Sequence, residues 1–251
     1  TGSDLASISC RAVRDGDDWV ITGSKYWCTF ADGADYIVLF ARTDDPEDSA
    51  RRHVGISAFV IDKPRGELPA GVHGSVIPKI GYFGWKTWEL AFDGLRLPAS
   101  SMIGEQGKAF YALAKGLDEA RAHTAARSIG LAQGALEDAT AYAEEREQFG
   151  KPIAQFQAIK HTIAKLGTDI EPTRALFWYA AHALDELPDE ASRAASVAKA
   201  HITDRAMNAA RESVELHGGY GFTWECEVQM WFKRIMLNRA QLGTPDQHRE
   251  R

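Results

Sequence analysis

The chain has 251 residues, of which 45% are apolar, so it can bury one large hydrophobic core or two modest ones. Its formal net charge of −6 argues against a surface that follows the phosphates of DNA or RNA. No segment approaches the roughly 20 consecutive apolar residues of a membrane span and no signal peptide is visible, so the composition predicts a cytoplasmic protein of two domains.

The first part of the chain, residues 1–103, is predicted to form a β-domain. Turn signals rich in Gly and Asp separate short runs of β-branched and aromatic residues about every ten positions. The clearest runs are WVITGSKYWCTF, DYIVLFAR, HVGISAFVID and TWELAFDGLRL. This spacing is typical of a small β-barrel or sandwich. The tract RTDDPEDSARRH is interpreted as a solvated surface loop.

Residues 104–251 change to alanine-rich sequence with helical periodicity. The pattern predicts helices at about 106–146 and 154–186, a third that starts near Pro188, and a fourth at about 226–242. Four long helices with short connections indicate an up-and-down four-helix bundle. The complete chain is therefore predicted to have an α+β fold, with a β-domain followed by a helical bundle.

The three cysteines indicate neither a disulfide framework nor a metal site. Cys10, Cys28 and Cys226 are odd in number, far apart and without the CxxC spacing of zinc ligands. They are interpreted as free thiols in a reducing compartment, and no metal is predicted.

Two glycine-containing corners in the helical part are candidates for ligand binding. Arg146 comes at the end of the first helix, where Gly150 and Pro152 predict a sharp reversal. The alternative is that Arg146 caps the carbonyl groups of its own helix. The second corner, LHGGYGF, contains Gly218 and Gly219, whose backbone a bulky group could approach closely.

Trp27 and Thr29 form a third candidate, in the β-domain. They are two residues apart on one predicted strand and so share a face. A flat indole beside a hydroxyl suits a planar heteroaromatic ring such as a flavin. The alternative is a core tryptophan beside an ordinary strand threonine.

Taken in chain order, several motifs resemble those of the acyl-CoA dehydrogenase family of flavoproteins. They are GSDLAS, GSKYWCTFADGADYIVLFAR, LDEARAHTAARSIGLAQGALEDATAYAEEREQFGKPIAQFQAIKH and ELHGGYGFTWE. Their shared order and spacing make the signal specific. The resemblance implies an N-terminal helical domain, a middle β-domain and a C-terminal four-helix bundle. The first of these has no counterpart here, so the chain is expected to be either a fragment or a member without that domain.

The resemblance implies that FAD is the cofactor. In the family, the Arg of the REQFG motif reaches across a subunit interface to a neighbour's FAD, which corresponds to Arg146 here. Glu215 departs from the Gln that the family often has three residues before the two glycines, and it is expected to weaken FAD retention or to rotate away. The cofactor-binding residues implied in this way are Ser3, Trp27, Thr29, Arg146, Gln148, Phe149, Gln157, Gly218, Gly219 and Thr244.

The same resemblance implies an acyl-CoA thioester as substrate and fatty acid or other lipid metabolism as the setting. Asp118, Arg121 and Gly243 correspond to residues that contact the acyl-CoA. Trp85 replaces a Ser found in many members and is expected to narrow or reshape the channel. An electron-transfer flavoprotein or a similar acceptor is implied as partner, together with assembly into a dimer or tetramer.

The catalytic base of the family has no carboxylate counterpart at either of its two positions. One position precedes Gly243 and is Leu242, and the other is Ala120 in the LDEAR segment. Glu119 and Asp246 are the nearest substitutes, although one residue of displacement on a helix turns a side chain by about 100°. Two hypotheses follow: an acyl-CoA dehydrogenase with an unusual base, and a base-deficient subunit that contributes half an FAD site to a heteromeric enzyme.

Overall fold

The computed structural model describes residues 3–46 and 48–250, which form two compact units. The first unit ends at Ala114 and the second begins at Lys115. Strands dominate the first and helices the second, so the predicted α+β class and the order of the two parts are confirmed.

The β-unit is built on one mixed sheet of seven strands. Along the sheet the strand order is β5-β6-β2-β1-β3-β4-β7, and all neighbours are antiparallel except β1 and β3. The strands are β1 (Arg11–Asp15), β2 (Asp18–Thr29), β3 (Tyr36–Arg42), β4 (Ile56–Asp62), β5 (Val72–Val76), β6 (Thr87–Pro98) and β7 (Met102–Ile103).

The hairpin of β1 and β2 shows how the sequence specifies this sheet. Gly16 adopts φ +60° in the turn, a conformation that glycine reaches without steric cost. Trp19 and Ile21, two positions apart on β2, are both buried, and Trp19 packs edge to face on Phe59 of β4. Alternation along the strand therefore directs these side chains into the core of the β-unit.

The helical unit follows the predicted pattern closely. A short ribbon of two strands, β8 and β9, lies between the first two helices in the chain. The elements are α1 (Ala109–Glu145), β8 (Glu147–Gln148), β9 (Lys151–Pro152), α2 (Gln157–Ile170), α3 (Arg174–Glu186), α4 (Pro188–Leu216), α5 (Val228–Ala240) and α6 (Pro245–Arg249).

Two helix boundaries differ from the sequence prediction for identifiable reasons. The predicted helix at 154–186 is divided by one 3-10 turn at Glu171–Thr173, because Pro172 has no backbone N–H for the α-helical ladder. The fourth predicted helix ends at Ala240, and α6 follows as a separate short helix that Thr244 caps.

Small side chains form much of the helical core. Ala125, Ala183, Ala198 and Ala209 are completely buried beside larger residues such as Ile235. Interiors pack at crystal-like density, so alanine at these positions lets the helices approach closely. Within the described residues, no helix is both long and apolar enough to cross a membrane.

Candidate functional site

The turn between β8 and β9 holds an aromatic side chain outward on a strained backbone. Phe149 and Gly150 both have positive φ, at 55° and 76°, as in the two-residue hairpin turns that favour Asn-Gly. The left-handed region costs a non-glycine residue roughly 1–2 kcal/mol. Phe149 is nevertheless 92% exposed, so burial in this chain does not offset that strain. Such an outlier supports a functional hypothesis for the turn.

Backbone hydrogen bonds fix Arg146 on both sides, while its side chain remains available to bind a ligand. Its N–H donates to the carbonyl of Tyr142 in α1, and its carbonyl accepts from the N–H of Ile153, both at 2.8 Å. The guanidinium is exposed and makes no hydrogen bond or ion pair with any residue that the structure describes. The structure therefore shows Arg146 without the carbonyl-capping contacts that the alternative interpretation requires.

An open pocket of about 690 Å³ in the helical unit brings four of the predicted cofactor residues together. It lies where the end of α1 and the β8–β9 ribbon meet the turn after α4. We call it the diphosphate pocket, after the FAD diphosphate that the sequence resemblance implies as its ligand. Its lining residues are Tyr142, Arg146, Gln148, Ile153, Glu215, Leu216, His217, Gly218, Gly219 and Tyr220.

The glycines leave bare backbone on one side of the diphosphate pocket. Gly218 adopts φ +60°, and a Cβ built at Gly218 or at Gly219 would meet no heavy atom within 4 Å. Both positions therefore offer open space beside the backbone, into which a bulky group fits.

Stacked rings form another wall of this pocket. His217 lies on Tyr142 with 4.4 Å between ring centroids and 25° between planes, and Tyr220 is nearly parallel to Tyr142 at 6.1 Å. The Nδ1–H of His217 donates to the carbonyl of Ser213 at 2.7 Å, which fixes the buried imidazole. The wall is therefore formed by mostly apolar rings stacked on a buried, hydrogen-bonded imidazole.

A second cluster in the helical unit surrounds the loop after α5. The Arg121 guanidinium donates to the carbonyl of Leu242 at 3.2 Å and to the Asp118 carboxylate at 2.5 Å. The imidazole of His248 donates to the same Leu242 carbonyl at 3.0 Å. Leu242 has φ 62°, so these donors hold a non-glycine residue in the left-handed region. The structure thus brings the three predicted substrate residues, Asp118, Arg121 and Gly243, to one place.

Lys199 of α4 supports this loop from the core. Its side chain is fully buried, and its ammonium donates to the carbonyls of Gly243 at 3.0 Å and Arg239 at 3.3 Å. Burial lowers the pKa of Lys199 to about 8, with further lowering from the cations Arg239 and Arg121. The loop therefore rests on buried positive groups.

The candidate bases do not share this buried environment. Glu119 is exposed on α1, which continues as a regular helix through this position. Asp246 is exposed and its carboxylate accepts from Arg249 at 2.8 Å. Asp118, by contrast, is largely buried, and its carboxylate is paired with Arg121.

In the β-unit, Trp27 lies at an irregularity of β2. The pairing with β6 shifts between Lys25 and Cys28, and Trp27 has φ 64°. Its indole is 60% exposed, and Thr29, the last residue of the strand, is exposed as well. An exposed tryptophan on a strained bulge is unusual for a core residue. Trp85 is 46% exposed, and its ring lies near Phe30 and Tyr82 at centroid distances of 6.4 and 6.3 Å.

The remaining predicted residues lie outside the lining of the diphosphate pocket. Ser3 is exposed at a bend that precedes the first 3-10 turn, and Gln157 is exposed at the start of α2. Thr244 contributes to a separate open pocket of about 430 Å³ between α4 and α5, and its hydroxyl also accepts from Gln247 N–H as the cap of α6.

Sequence reasoning missed Lys199 and His248. Lys199 interrupts a buried stripe of α4 that includes Ala195, Ala198 and Ile202, and a lysine on an apolar helical face is the signal that could have identified it. His248 carries no comparable sequence signal, because its role depends on the fold of the loop it contacts.

Comparison with protein families identifies the class of protein. Residues 1–95 match the model described as "Acyl-CoA dehydrogenase, middle domain", and residues 107–251 match "Acyl-CoA dehydrogenase, C-terminal domain". The chain belongs to the acyl-CoA dehydrogenase family, whose members bind FAD.

Among curated proteins, the chain is 37% identical to a cyclohex-1-ene-1-carbonyl-CoA dehydrogenase of Geobacter metallireducens. The alignment covers 97% of this chain and 62% of the relative. It is 35% identical to the caffeyl-CoA reductase-Etf complex subunit CarC of Acetobacterium woodii, over 97% of this chain and 61% of that subunit. The chain therefore spans less than two thirds of the length of these relatives.

Solved structures of acyl-CoA dehydrogenases are also similar to this chain. Butyryl-CoA dehydrogenase from Megasphaera elsdenii superposes with a TM-score of 0.89 at 31% identity, covering 100% of this chain and 63% of the other. A glutaryl-CoA dehydrogenase from Mycobacterium smegmatis in complex with FADH2 superposes with a TM-score of 0.82 at 28% identity, covering 99% and 61%.

Proposed function

We propose that this chain is a subunit of an FAD-dependent acyl-CoA dehydrogenase, which oxidises the α,β-bond of an acyl-CoA thioester and passes electrons to an electron-transfer flavoprotein. The observation that carries the proposal is the diphosphate pocket, which joins Arg146 and Gln148 to Gly218 and Gly219. Family membership supports the reaction class, and the Etf-associated relative supports the electron acceptor.

The residues of this pocket fit the diphosphate of FAD. A guanidinium without a protein partner is suited to charge-assisted hydrogen bonds with phosphate oxygens. The bare backbone at Gly218 and Gly219 leaves room for close approach. Arg146 and Gln148 would hold the phosphates, while the ring wall of His217 would border the adenosine side.

In the β-unit, Trp27 would pack against the flavin ring and Thr29 would hydrogen-bond to its edge. The exposed indole at the β2 bulge supports this assignment because it offers a flat apolar face without rearrangement. The flavin, when bound, supplies the hydride acceptor. Ser3 and Gln157 would contact the phosphate and adenosine portions, and Thr244 the cofactor from its own loop.

For the substrate, we propose that Asp118, Arg121 and Gly243 line the acyl-CoA channel. The Asp118–Arg121 ion pair is largely buried, with side-chain exposures of 18% and 10%, so it gives the channel a fixed polar wall. Trp85 would alter the shape of the channel. The ring-containing acyl groups named in the Geobacter and Acetobacterium relatives suggest cyclic and aromatic acyl-CoA thioesters for the first substrate panel.

We further propose an oligomer, a dimer or a tetramer, in the cytoplasm. Phe149 and Arg146 protrude from the helical unit, and a second subunit would give both side chains a partner. A monomer that retains FAD in sedimentation analysis would contradict this cross-subunit role.

A second candidate function, a base-deficient subunit, is favoured by the placement of the carboxylates. Removal of the α-proton requires a carboxylate within hydrogen-bond reach of the α-carbon. Leu242 and Ala120 occupy the positions where the resemblance places that base. Glu119 is exposed, and Asp246 is engaged by Arg249. The chain would then contribute cofactor contacts to an enzyme whose base lies on another polypeptide.

Anaerobic flavin reduction distinguishes the two candidates. The FAD-loaded protein is mixed with a panel of acyl-CoA thioesters while flavin absorbance is recorded, and Glu119→Gln and Asp246→Asn are measured in parallel. The base-deficient hypothesis predicts negligible bleaching by all three proteins. Rapid bleaching that one substitution abolishes would falsify that hypothesis and identify the base.

A further inference from the structure

Glu215 places a negative charge in the pocket that is proposed to receive the FAD diphosphate. It lies one residue before the end of α4 and shares the pocket lining with Arg146 and with Gly218 and Gly219. Its side chain is exposed, and within the described part of the chain it pairs with no cation. The charged side chains of this pocket are thus one guanidinium and one carboxylate.

These two charges act on a bound diphosphate in opposite directions. The guanidinium of Arg146 attracts the phosphate oxygens, whereas the carboxylate of Glu215 repels them. At separations of a few Å and the effective dielectric of a protein surface, one such repulsion lowers affinity by roughly tenfold. The rings of Tyr142, His217 and Tyr220 add no guanidinium or ammonium group to the pocket.

We infer that Glu215 sets the affinity of this pocket for FAD, so that the protein binds the cofactor reversibly and exchanges it with solution. The inference rests on the proposed function, because it requires the pocket to receive FAD. It assigns Glu215 the role of an affinity-determining residue whose charge offsets that of Arg146.

The charge balance also predicts a characteristic salt dependence. Salt weakens both the attraction of Arg146 for the phosphates and the repulsion by Glu215. These two changes have opposite effects on FAD affinity, so the affinity of the unmodified protein changes little with ionic strength. Removing the carboxylate leaves the attraction alone, and the affinity then falls as salt increases. A purely structural role of Glu215 would not produce this change of salt dependence.

The test compares FAD binding by the unmodified protein, Glu215→Gln, Arg146→Gln and the double variant. Each protein is freed of flavin and titrated with FAD by fluorescence at about 50 mM and about 300 mM salt, a range over which the screening length shortens substantially. Glu212→Gln is the matched control, since Glu212 lies one helical turn earlier on α4 and outside the pocket lining. Far-ultraviolet circular dichroism verifies that each variant is folded.

The inference predicts that Glu215→Gln binds FAD roughly tenfold more tightly at low salt and loses part of this gain at high salt. Glu212→Gln should match the unmodified protein, and the double variant should bind more weakly than Glu215→Gln. Unchanged affinity and salt dependence in Glu215→Gln, with FAD still bound, would overturn this inference alone. Absence of FAD binding in every protein would overturn the proposed function itself.

Discussion

The diphosphate pocket and the loop around Leu242 both place basic side chains beside backbone, but they differ in whether those side chains are already paired. Arg146 in the pocket has no partner among the described residues, and the glycines beside it leave open space. At the loop, Arg121 and Lys199 are buried and bonded to carbonyl groups.

This difference in pairing decides which of these charged side chains is available to a ligand. Unpaired charge at an open surface costs little and remains available for a ligand, whereas a buried charge must be satisfied by the protein itself. The buried donors therefore hold the loop in one conformation. The side chain at position 242 of this loop is an apolar leucine. The loop thus holds an apolar residue at the position where the family resemblance places a catalytic carboxylate.

The largest expected effect comes from supplying that carboxylate with Leu242→Glu. If the donors from Arg121 and His248 hold the loop in a productive conformation, a glutamate there acts as general base, a contribution of typically 10²–10⁴-fold. The measurement is the anaerobic rate of flavin reduction by an acyl-CoA thioester in the FAD-loaded protein.

Leu242→Gln is the matched control, because it has nearly the same shape without the charge. It should leave the rate near that of the unmodified protein. Equal rates for the glutamate and glutamine variants, in correctly folded protein, would show that the loop does not present residue 242 to the substrate.

The next effect concerns the scaffold and its pH dependence. The pKa of Lys199 is about 8 in the folded protein, below the ordinary value of 10.5, so the folded state releases this proton first as pH rises. Between those two values the unfolded state binds more protons, and folding stability rises with pH. Below pH 8 both states hold the proton, and the full cost of burying the charge remains.

Lys199→Met removes this dependence and also leaves the carbonyls of Gly243 and Arg239 without their donor. Urea unfolding measures how much less stable the variant is than the unmodified protein. We expect this difference in the free energy of unfolding to be about 2 kcal/mol larger at pH 9.5 than at pH 7. Parallel stability curves for the two proteins across this range would contradict the assignment.

A smaller effect is expected from the glycines of the diphosphate pocket. Gly218 has φ +60° and Gly219 does not have positive φ, although a Cβ at either position meets open space. Gly218→Ala should cost about 1 kcal/mol of stability because alanine is strained there, and Gly219→Ala should change stability by less than about 0.5 kcal/mol. Chemical denaturation measures both, and equal stability losses would show that backbone strain is not the cause.

The sequence predicted the long helices well because their signal is local. The alanine-rich period of 3.6 placed the start of α1 within a few residues, and Pro188 marked the start of α4. The break at Pro172 was also present in the sequence, but a proline within a helical pattern can produce a kink, a turn or an end.

The tertiary features were not accessible in the same way. The bulge at Trp27 depends on the register between β2 and β6, which a single strand does not encode. The contacts of Lys199 with the loop at Gly243 join residues 44 positions apart, so no local pattern reports them. The grouping of Arg146 with Gly218 was anticipated only through family resemblance.

The smallest expected effect is a gain of stability in the β8–β9 turn, and it tests whether strain in the diphosphate region serves binding. Phe149→Asn places a residue that tolerates positive φ at 55°, and it gives the turn the favoured Asn-Gly sequence. Phe149 is 92% exposed, so the variant loses little burial beyond the edge contact with Phe156. We therefore expect thermal unfolding of the flavin-free protein to show that the free energy of unfolding rises by about 0.5 kcal/mol.

FAD affinity should fall in the same variant, because the proposed cross-subunit contact is lost. A less stable variant would show that Phe149 serves packing within the chain. A more stable variant with unchanged FAD affinity would show that Phe149 has no role in binding.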